Sequence, residues 1–400
     1  MLYAWQDPEA ALDHRSPSEY VHPYYSFTAL LPVRHEEHVV SDTITALNKI
    51  DYPDYLKEII VLCRADDVGT IQKVQETIDA IGNPRILLEI FYDDPINKPH
   101  ALNKGLAVSQ NQIISIFDAE DEPHPEIYHI INTILQTKNV DVVQSGVQLM
   151  NYHSHWFSAL NCLEYYFWFK SGLHFFSRIG KATPLGGNTV FFKKSYLERV
   201  GGWDEECLTE DADIGFRLIE EGAKVHVVYD VKHVTKEETP DTLESFIKQR
   251  TRWNQGFLQI FFKFNWIQLP KMRQKIVAAY ILLSPLSQAL LFLYIPVSLY
   301  LAFTVKLPIL LVLFSFLPLF LFFLQVTTLI VGMYEFTRGY GLKFPILMPL
   351  RILVCFYPYL FILAFASVRA TLRFFFGNTA WEKTAHINAH RDTMQFVFAR

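Results

Sequence analysis

The C-terminal part of this 400-residue chain carries the feature that most restricts its fold, a succession of long apolar stretches. They cover roughly residues 276–305, 307–334 and 344–368. Between Glu244 and Glu382 the only acidic residue is Glu335. Each stretch is long enough to cross a bilayer, which needs about 20 residues as an α-helix. Because three such stretches are difficult to bury in a soluble domain, we expect residues 271–376 to form about three transmembrane helices.

The basic residues around these stretches predict the topology, since cytoplasmic loops are enriched in Lys and Arg. They precede the first stretch and surround the second connection: Lys271, Arg273, Lys275, Arg338, Lys343 and Arg351. This pattern places residues 26–270 in the cytoplasm of a multi-pass protein of the plasma membrane. Three spans would put the tail of residues 377–400 outside, although basic residues continue from Arg369 to Arg391. Either the count differs by one, or the last helix lies partly along the interface.

The remaining composition excludes several classes of protein. Residues 1–25 form an N-terminal extension with charges and prolines and without the apolar core of a signal peptide. The net charge is −5, and no dense basic patch with interleaved aromatic residues indicates nucleic-acid binding. The four cysteines are widely spaced without a CxxC pair. They predict a reducing compartment and neither a disulfide framework nor a zinc site of cysteines.

Residues 26–270 have the pattern of an α/β domain with a mainly parallel sheet. Apolar runs typical of buried strands occupy residues 26–33, 58–65, 85–92, 112–119, 140–150, 189–193 and 224–231. Amphipathic helical patterns separate the early runs, and such alternation predicts parallel strands. Ligands of sheets of this kind bind at the carboxyl ends of the strands. Polar residues in those positions are therefore the candidates for a functional site.

Three carboxylates follow the fourth run: Asp118, Glu120 and Asp121. Carboxylates so close together repel one another unless a cation or strong hydrogen-bond donors hold them. Hard divalent ions such as Mg²⁺ and Mn²⁺ prefer carboxylate oxygen, so the sequence indicates a metal site that could bridge a diphosphate. A solvated acidic turn is the alternative.

Two further motifs carry residues suited to chemistry. Glu210 and Asp211 begin a predicted helix, where a carboxylate can act as a general base or simply favour the helix dipole. Gln249 and Arg252 share one face of a later helix, with Trp253 beside them. Arg offers forked donors to phosphate and Trp a flat surface for a sugar or base, although a membrane-proximal basic helix would have the same composition.

Weaker candidates lie at other strand ends and in loops. They are Pro32, Arg34 and Glu36 after the first run, Asp66 and Asp67 after the second, Lys98 and Asn103 before the acidic strand, and Gly187 and Asn188 in a glycine-rich loop. The first two groups could hold a nucleotide base and ribose. Glycine lets backbone amides approach a ligand closely. Two aromatic segments, residues 155–176 and 251–268, suit either the headgroup layer or packing between the domain and the membrane helices.

Taken in order, the motifs LPVRHEE, ADD, KPHALNKGL, FDAEDEP, PLGGNTVFFKK, GGWDEECLTEDADIGFRL and QRTRW resemble those of the family 2 glycosyltransferases. The resemblance is to the cellulose synthase-like and hyaluronan synthase-like membrane members, and it extends from residue 28 to about residue 260. The apolar stretches and a WEKTAH segment near the C-terminus fit the same group. The resemblance implies a GT-A fold and an inverting transfer of sugar from a nucleotide-sugar donor, with UDP-glucose or UDP-N-acetylglucosamine expected first.

Roles for individual residues come with this resemblance. It implies that Asp118 and the residue two positions later bind Mg²⁺ or Mn²⁺ and the donor diphosphate. Asp211, with Glu210 in the same Thr-Glu-Asp motif, would be the base that deprotonates the acceptor. Gln249, Arg252 and Trp253 would contact the donor pyrophosphate and the acceptor end, with Gly187 and Asn188 in the acceptor loop. Pro32, Arg34, Glu36, Lys98 and Asn103 would belong to the donor site, and Asp66 or Asp67 would hold the nucleotide base.

The sequence departs from the family pattern in two ways. Where the family has Asp-x-Asp, this chain has Glu120 followed by Asp121, so both remain candidates for the second metal ligand. The spans that large cellulose synthases carry before the catalytic domain do not occur in the first 270 residues. Translocation of a long polymer by this chain alone therefore stays open, and a partner subunit in the membrane is one candidate for that task. We expect synthesis of a β-linked polysaccharide. The alternatives are single transfer to a lipid acceptor and a catalytically silent protein that binds a nucleotide or glycan.

Overall fold

A computed structural model describes residues 14–304, 316–378, 380, 382 and 390–391 of the chain. Most of the N-terminal extension, part of the second predicted span and most of the tail, including most of WEKTAH, lie outside the described residues.

Nine strands and twelve helices are used below. The strands are β1 (Phe27–Val33), β2 (Lys57–Arg64), β3 (Ile86–Phe91), β4 (Ile113–Ile116), β5 (Val142–Ser145), β6 (Val147–Leu149), β7 (Val190–Lys193), β8 (Val225–Val228) and β9 (Thr235–Glu237). The helices of the first part are α1 (Val40–Asn48), α2 (Val68–Ile81), α3 (Lys98–Val108), α4 (Ile127–Thr137), α5 (Ser158–Phe167), α6 (Lys194–Arg199), α7 (Glu210–Glu220) and α8 (Leu243–Lys263). Those of the apolar part are α9 (Met272–Leu282), α10 (Ser284–Thr304), α11 (Phe316–Gly339) and α12 (Met348–Phe375).

Seven strands form one twisted sheet in the order β3-β2-β1-β4-β7-β5-β8. Neighbouring strands are parallel, except that β7 is antiparallel to both β4 and β5. The predicted α/β domain with a mainly parallel sheet is therefore confirmed. Strands β6 and β9 form a separate parallel pair, and a bridge between Glu122 and Lys236 extends it.

Helices cover both faces of the sheet, which explains why its strands are apolar at almost every position. Successive side chains of a strand point to opposite faces, so Leu31 packs with α1, α2 and α4, while Leu30 packs with α3, α6 and α7. In β2, Val61 packs on the same face of the sheet as Leu31, and Leu62 packs on the same face as Leu30. Because β1, β2 and β4 are parallel, their carboxyl ends lie at the same edge of the sheet.

The apolar C-terminal part contains two helices long and apolar enough to cross a membrane, Phe320–Gly339 and Met348–Phe375. A third span results if the pair Met272–Leu282 and Ser284–Tyr294, bent by 43°, is counted as one. The described residues thus provide two spans, or three with the bent pair, where the sequence predicts about three.

The two aromatic segments pack against these apolar helices. A Cβ on Gly332 of α11 would lie 2.2 Å from the ring of Phe167, so the two elements are in close contact. In α8, the Asn254 side chain donates to Ser367 Oγ of α12 at 2.9 Å. The ring of Phe262 stacks on that of Phe374, with centroids 5.1 Å apart. Packing between the domain and the apolar helices therefore accounts for both segments.

Candidate active site

A cavity of about 850 Å³ opens at the carboxyl edge of the sheet, below the end of β4 and between α5 and α8. Most of the residues singled out from the sequence line it: Pro32, Arg34, Glu36, Lys98, Asp118, Glu120, Gly187, Asn188, Glu210, Asp211, Gln249, Arg252 and Trp253. Four candidates are not in its lining, namely Asp66, Asp67, Asn103 and Asp121. The chain thus brings together motifs that are up to 220 residues apart in sequence.

Three carboxylates gather at the end of β4. Ligand oxygens of Asp118, Glu120 and Glu237 lie within 4.8 Å of one another, and the side chains of Glu120 and Glu237 are only 7% exposed. Glu237 comes from β9 and was not singled out from the sequence. The donor set consists of oxygen alone, which suits a hard divalent ion such as Mg²⁺ or Mn²⁺.

Asp121 lies outside this group, because its carboxylate is turned into the protein. One oxygen accepts from the backbone N–H of Asp118 and the other from the side-chain amide of Asn188, both at 2.8 Å. Burial raises the pKa of Asp121 well above its usual value, and the charge of Glu237 adds to the effect. The amide of Asn188 also donates to Glu237 Oε1 at 2.5 Å. Asp121 and Asn188 therefore position Asp118 and Glu237 of the carboxylate group through hydrogen bonds.

Lys98 connects the carboxylate group to the loop that contains Gly187. It begins α3, whose N-cap Asn97 accepts from His100 N. Its ammonium pairs with Asp118 and donates to the carbonyl of Gly187 at 2.9 Å. Burial alone would lower the pKa of Lys98, but the nearby carboxylates of Asp118, Glu210 and Asp211 raise it above its usual value. Lys98 is therefore a fixed positive charge in the cavity.

Glu210 and Asp211 line the cavity at the first turn of α7. Burial, together with the charge of Asp211, raises the pKa of Glu210 to about 7. Burial also raises the pKa of Asp211, although its Oδ1 accepts from the backbone N–H of Ala212 at 2.8 Å. A Cβ built on Gly187 would lie 3.3 Å from Asp211 Oδ2 and 3.4 Å from Lys98 Nζ. Glycine at this position leaves the space between the carboxylate and the ammonium open.

Helix α8 closes the cavity with the side chains of the QRTRW motif. The buried Oε1 of Gln249 has no hydrogen-bond partner among the described residues, as expected for a group that faces a ligand. The helix approaches the loop before α7 very closely, since a Cβ on Gly256 would lie 2.7 Å from the backbone nitrogen of Thr209.

Arg250 is a lining residue that the sequence did not reveal. It pairs with Glu164 of α5 and donates to Asn161 Oδ1 at 2.6 Å. Its guanidinium lies over the ring of Trp253, 4.7 Å from the centroid, and thereby holds the indole in place. The motif contains two arginines in three residues. The sequence gives both the same appearance, because only the fold determines which face of α8 meets α5.

The candidates outside the cavity lining support its walls. Asp67 caps α2 and accepts from the backbone N–H of His35 at 2.6 Å, and Asp66 pairs with Arg34 at 3.3 Å. Burial would raise the pKa of Asp67, but the hydrogen bonds from His35 and Thr70 lower it, so the carboxylate stays ionised. These contacts hold the loop after β1.

Asn103 holds a second loop in the same manner. Its side chain accepts from Trp203 N at 2.8 Å and donates to Trp203 O at 2.9 Å. Its amide also donates to Glu205 at 2.8 Å. This loop leads directly into the Thr-Glu-Asp motif, so Asn103 positions the catalytic candidates from outside the cavity.

One residue near the C-terminus reaches the acidic loop. Arg391 donates to Thr43 Oγ1 at 2.9 Å and to the carbonyl of Asp121 at 3.1 Å, and it pairs with Asp42 at 3.3 Å. The Thr43 hydroxyl in turn donates to the carbonyl of Ala119 at 2.5 Å. No local pattern in the sequence connects these segments, which are about 270 residues and more apart.

Comparison with known proteins identifies the family and the fold of the chain. The family model described as "Glycosyltransferase like family 2" matches residues 23–256. The poly-beta-1,6-N-acetyl-D-glucosamine synthase of Staphylococcus epidermidis is 26% identical over 281 residues, 69% of this chain and 64% of the relative. The beta-monoglucosyldiacylglycerol synthase of a Nostoc species is 25% identical over 61% of this chain and 51% of the relative. The chain thus spans about half to two thirds of the length of these relatives.

Among solved structures, a mannosyltransferase from Pyrobaculum calidifontis in complex with GDP-Man and Mn²⁺ superimposes with a TM-score of 0.65. The match covers 94% of both chains at 18% sequence identity, which is evidence for the fold. The family match includes the whole seven-stranded sheet and most of α8. The chain therefore belongs to the family 2 glycosyltransferases and has the GT-A fold that its motifs predicted.

Proposed function

We propose that this protein is an inverting, divalent-metal-dependent glycosyltransferase that moves a sugar from a nucleotide-sugar donor to an acceptor hydroxyl at the membrane surface. The observation that carries the proposal is the shared cavity. It contains the carboxylate group at the end of β4, the ammonium of Lys98, and Asp211 near that ammonium. A protein that only bound a nucleotide would not need a buried carboxylate facing the donor site.

The donor diphosphate lies, in this proposal, against the carboxylate group. Asp118, Glu120 and Glu237 hold Mg²⁺ or Mn²⁺, with Glu120 preferred over Asp121, whose two oxygens already accept hydrogen bonds. A bound divalent ion supplies positive charge that offsets the charge on the departing nucleoside diphosphate. Arg252 adds forked donors to the same phosphates.

The acceptor side is assigned to Asp211. A general base must lie within hydrogen-bond reach of the proton it takes, and its pKa should be near the working pH. Burial raises the pKa of Asp211 towards that range, and Gly187 leaves room in front of Oδ2. Attack by the acceptor oxygen from the face opposite the leaving group inverts the anomeric carbon. An α-linked donor then gives a β-linked product without a covalent intermediate.

The acceptor approaches from the membrane side. The lining of the cavity continues from Trp253 to Ser284 and Gln288 of α10 and Leu363 of α12. The apolar helices thus form part of the wall. Together with the basic residues before α9, this arrangement supports a multi-pass protein of the plasma membrane whose catalytic domain faces the cytoplasm.

Two classes of acceptor fit this arrangement. The first is a growing β-linked polysaccharide, as the name of the staphylococcal relative describes for that protein. The second is a lipid hydroxyl, as the name of the Nostoc enzyme describes. The apolar wall at Leu363 favours an acceptor with a lipid part, including a lipid-linked glycan.

Release of nucleoside diphosphate tests the proposal. Purified protein in nanodiscs is supplied with UDP-glucose, UDP-N-acetylglucosamine or GDP-mannose, with Mn²⁺, Mg²⁺ or EDTA, and with membrane lipid extract as the acceptor source. We expect release from one donor that EDTA abolishes and that Asp211→Asn lacks. Donor binding without release from any donor, with every acceptor source, would support the binding-only alternative.

Product size then separates the two acceptor classes. With a radiolabelled donor, a ladder on a gel identifies a polymer, whereas a single new lipid band identifies one addition. Loss of polymer on purification, restored by a membrane fraction, would indicate a partner subunit.

A further inference from the structure

A second cluster of metal-binding side chains lies outside the cavity, on the segment that follows the acidic loop. Ligand atoms of His124, Glu126 and His233 lie within 4.8 Å of one another. The rings of His124 and His233 meet edge to face with centroids 4.7 Å apart. His233 Nε2 is 3.6 Å from Glu126 Oε2. All three side chains are partly exposed, so a cation in solution can reach them.

We propose that His124, Glu126 and His233 form a binding site for a late first-row divalent cation of the Zn²⁺ type, separate from the catalytic metal. Two imidazoles and one carboxylate are a ligand set that Zn²⁺ accepts and that Mg²⁺ does not prefer. Ligands about 2.0–2.2 Å from a tetrahedral Zn²⁺ lie about 3.4 Å apart. The 3.6 Å between His233 and Glu126 is close to that separation.

The polar groups next to the cluster lie where hydrogen-bond partners of metal ligands usually lie, on the side of the ligand away from the metal. His233 Nδ1 is buried and has no hydrogen-bond partner among the described residues, and it faces Asp230 Oδ2 at 4.0 Å. A carboxylate behind one ring nitrogen orients a histidine whose other nitrogen binds a metal. The hydroxyl of Tyr20 donates to Glu126 Oε2 at 2.9 Å and fixes the carboxylate.

Two local interactions limit how the cation is held. The backbone N–H of Glu126 donates to His124 Nδ1 at 3.2 Å, so binding through that nitrogen replaces this hydrogen bond. Lys236, whose charge acts on His124, pairs with Glu122 at 3.2 Å. Burial lowers the pKa of His124, and the neighbouring His233 adds to the effect. Neutral imidazole is the form that binds metals.

The position of the cluster gives the site a structural role. His124 and Glu126 follow the loop that carries Glu120, and His233 precedes the strand that carries Glu237. The two segments are already joined by the Glu122–Lys236 bridge. A cation at the new site cross-links them a few residues from the catalytic carboxylates. The inference concerns binding and stability, and it does not depend on the proposed reaction.

The experiment uses untagged, full-length protein in nanodiscs, loaded with Zn²⁺ or Co²⁺, dialysed, and analysed for bound metal. The variants are His124→Gln and His233→Gln. His153→Gln is the control for loss of a histidine outside the cluster, and Asp118→Asn removes a ligand of the catalytic group. We expect one equivalent of Zn²⁺ to be retained by the wild type, by His153→Gln and by Asp118→Asn, and to be lost from both cluster variants.

A second measurement covers variants that do not fold. Co²⁺ bound to unmodified protein should give the intense visible absorption of a four-coordinate histidine site, and added Zn²⁺ should remove it and raise Tm. Retention of the same Zn²⁺ equivalent by His233→Gln, or absence of this Co²⁺ absorption from the unmodified protein, would overturn the proposal.

Discussion

At the scale of single residues, Asp211 and Asp118 are assigned different tasks because different groups surround them. Asp118 pairs with Lys98 inside the carboxylate group, whereas Asp211 faces open space in front of Gly187. We expect Asp211→Asn to reduce kcat by about 10²–10⁴-fold, the usual contribution of a general base, and to leave donor affinity unchanged. Asp118→Asn should weaken both metal and donor binding. Single-turnover transfer and donor titration measure the two effects, and substantial transfer by Asp211→Asn would show that another group is the base.

The pH dependence of transfer should report Asp211 together with the neighbouring Glu210. The proposed base must be ionised, and burial places the pKa of Asp211 above its ordinary value of about 3.9. Activity is therefore lost as the pH falls through this raised pKa. The neighbouring Glu210, with a pKa of about 7, titrates together with Asp211, so the acid limb reflects the pair. We expect the acid limb of kcat/KM at a higher pH than an exposed aspartate would give. A rate that stays constant down to pH 4 would exclude a buried base.

Sequence reasoning found those site residues that stand in motifs of unusual composition. Asp118 and Asp211 belong to acidic groups at element ends, where their chemistry can be read from spacing alone. Glu237 could not be found in this way, because it joins the carboxylate group only through the pairing of β9 with β6. Arg250 was missed because its partner Glu164 lies 86 residues earlier on another helix. Such contacts depend on tertiary packing, and a local pattern does not encode them.

At the scale of elements, the contact between α8 and the loop before α7 joins the two halves of the site. Gly256 allows it, since a Cβ there would lie 2.7 Å from Thr209 N and 2.3 Å from Thr209 Oγ1. Gly256→Ala should force the helix away and cost about 1–3 kcal/mol of stability, the usual effect of overpacking. Because Gln249 and Arg252 move with the helix, kcat/KM should fall as well.

Gly69→Ala is the matched control for this change. Gly69 also lies in a helix, but a Cβ there would meet only the flexible end of Glu37, at 2.6 Å. Alanine favours a helix over glycine by about 1 kcal/mol, so this variant should be neutral or slightly more stable. Thermal unfolding and initial rates measure both variants. If the two behave alike, the close contact at Thr209 is not required.

The order and direction of the strands show which features of the sheet the sequence pattern predicted and which it did not. The alternation of apolar runs and helices predicted a mainly parallel sheet, and six of its seven strands run the same way. Strand β7 runs in the opposite direction between β4 and β5. Its sequence, VFFK, is that of any buried strand. Direction is set by the connections, and the long segment between β6 and β7 carries α5, which packs on the apolar helices instead of crossing over the sheet.

At the scale of the whole molecule, the site is shared between the sheet and the apolar part. Arg250 pairs with Glu164, and the hydroxyl of Tyr359 on α12 donates to the same carboxylate at 2.5 Å. Most of the cavity lining thus belongs to the α/β domain, while part of it belongs to helices that could lie in a membrane. This division explains why the motifs include most lining residues of the α/β domain and few of those on the apolar helices, since apolar helices have little distinctive sequence.

The contact of Arg391 gives the last expectation at this scale. Its guanidinium and the Thr43 hydroxyl together hold the backbone carbonyls of Ala119 and Asp121, on either side of Glu120. Hydrogen bonds from a charged group are worth about 1.5–3 kcal/mol. Arg391→Gln should loosen the loop and raise the metal concentration for half-maximal activity about 5–30-fold, the equivalent of about 1–2 kcal/mol. The rate at saturating metal and the acid limb of the pH profile should change little, because Asp211 lies on another element.

Two further variants separate positioning by Arg391 from a general effect of charge. Arg391→Lys keeps a cation near Asp42 but loses the fork that reaches two acceptors, so it should restore metal affinity only in part. Arg199→Gln removes an arginine that packs over Tyr196 on α6, away from the acidic loop, and should leave the metal titration unchanged. Activity titrations with Mn²⁺ on all three variants measure the effect. A metal dependence of Arg391→Gln equal to that of the wild type would mean that the loop keeps its shape without the C-terminal contact, and that Thr43 alone is sufficient to hold it.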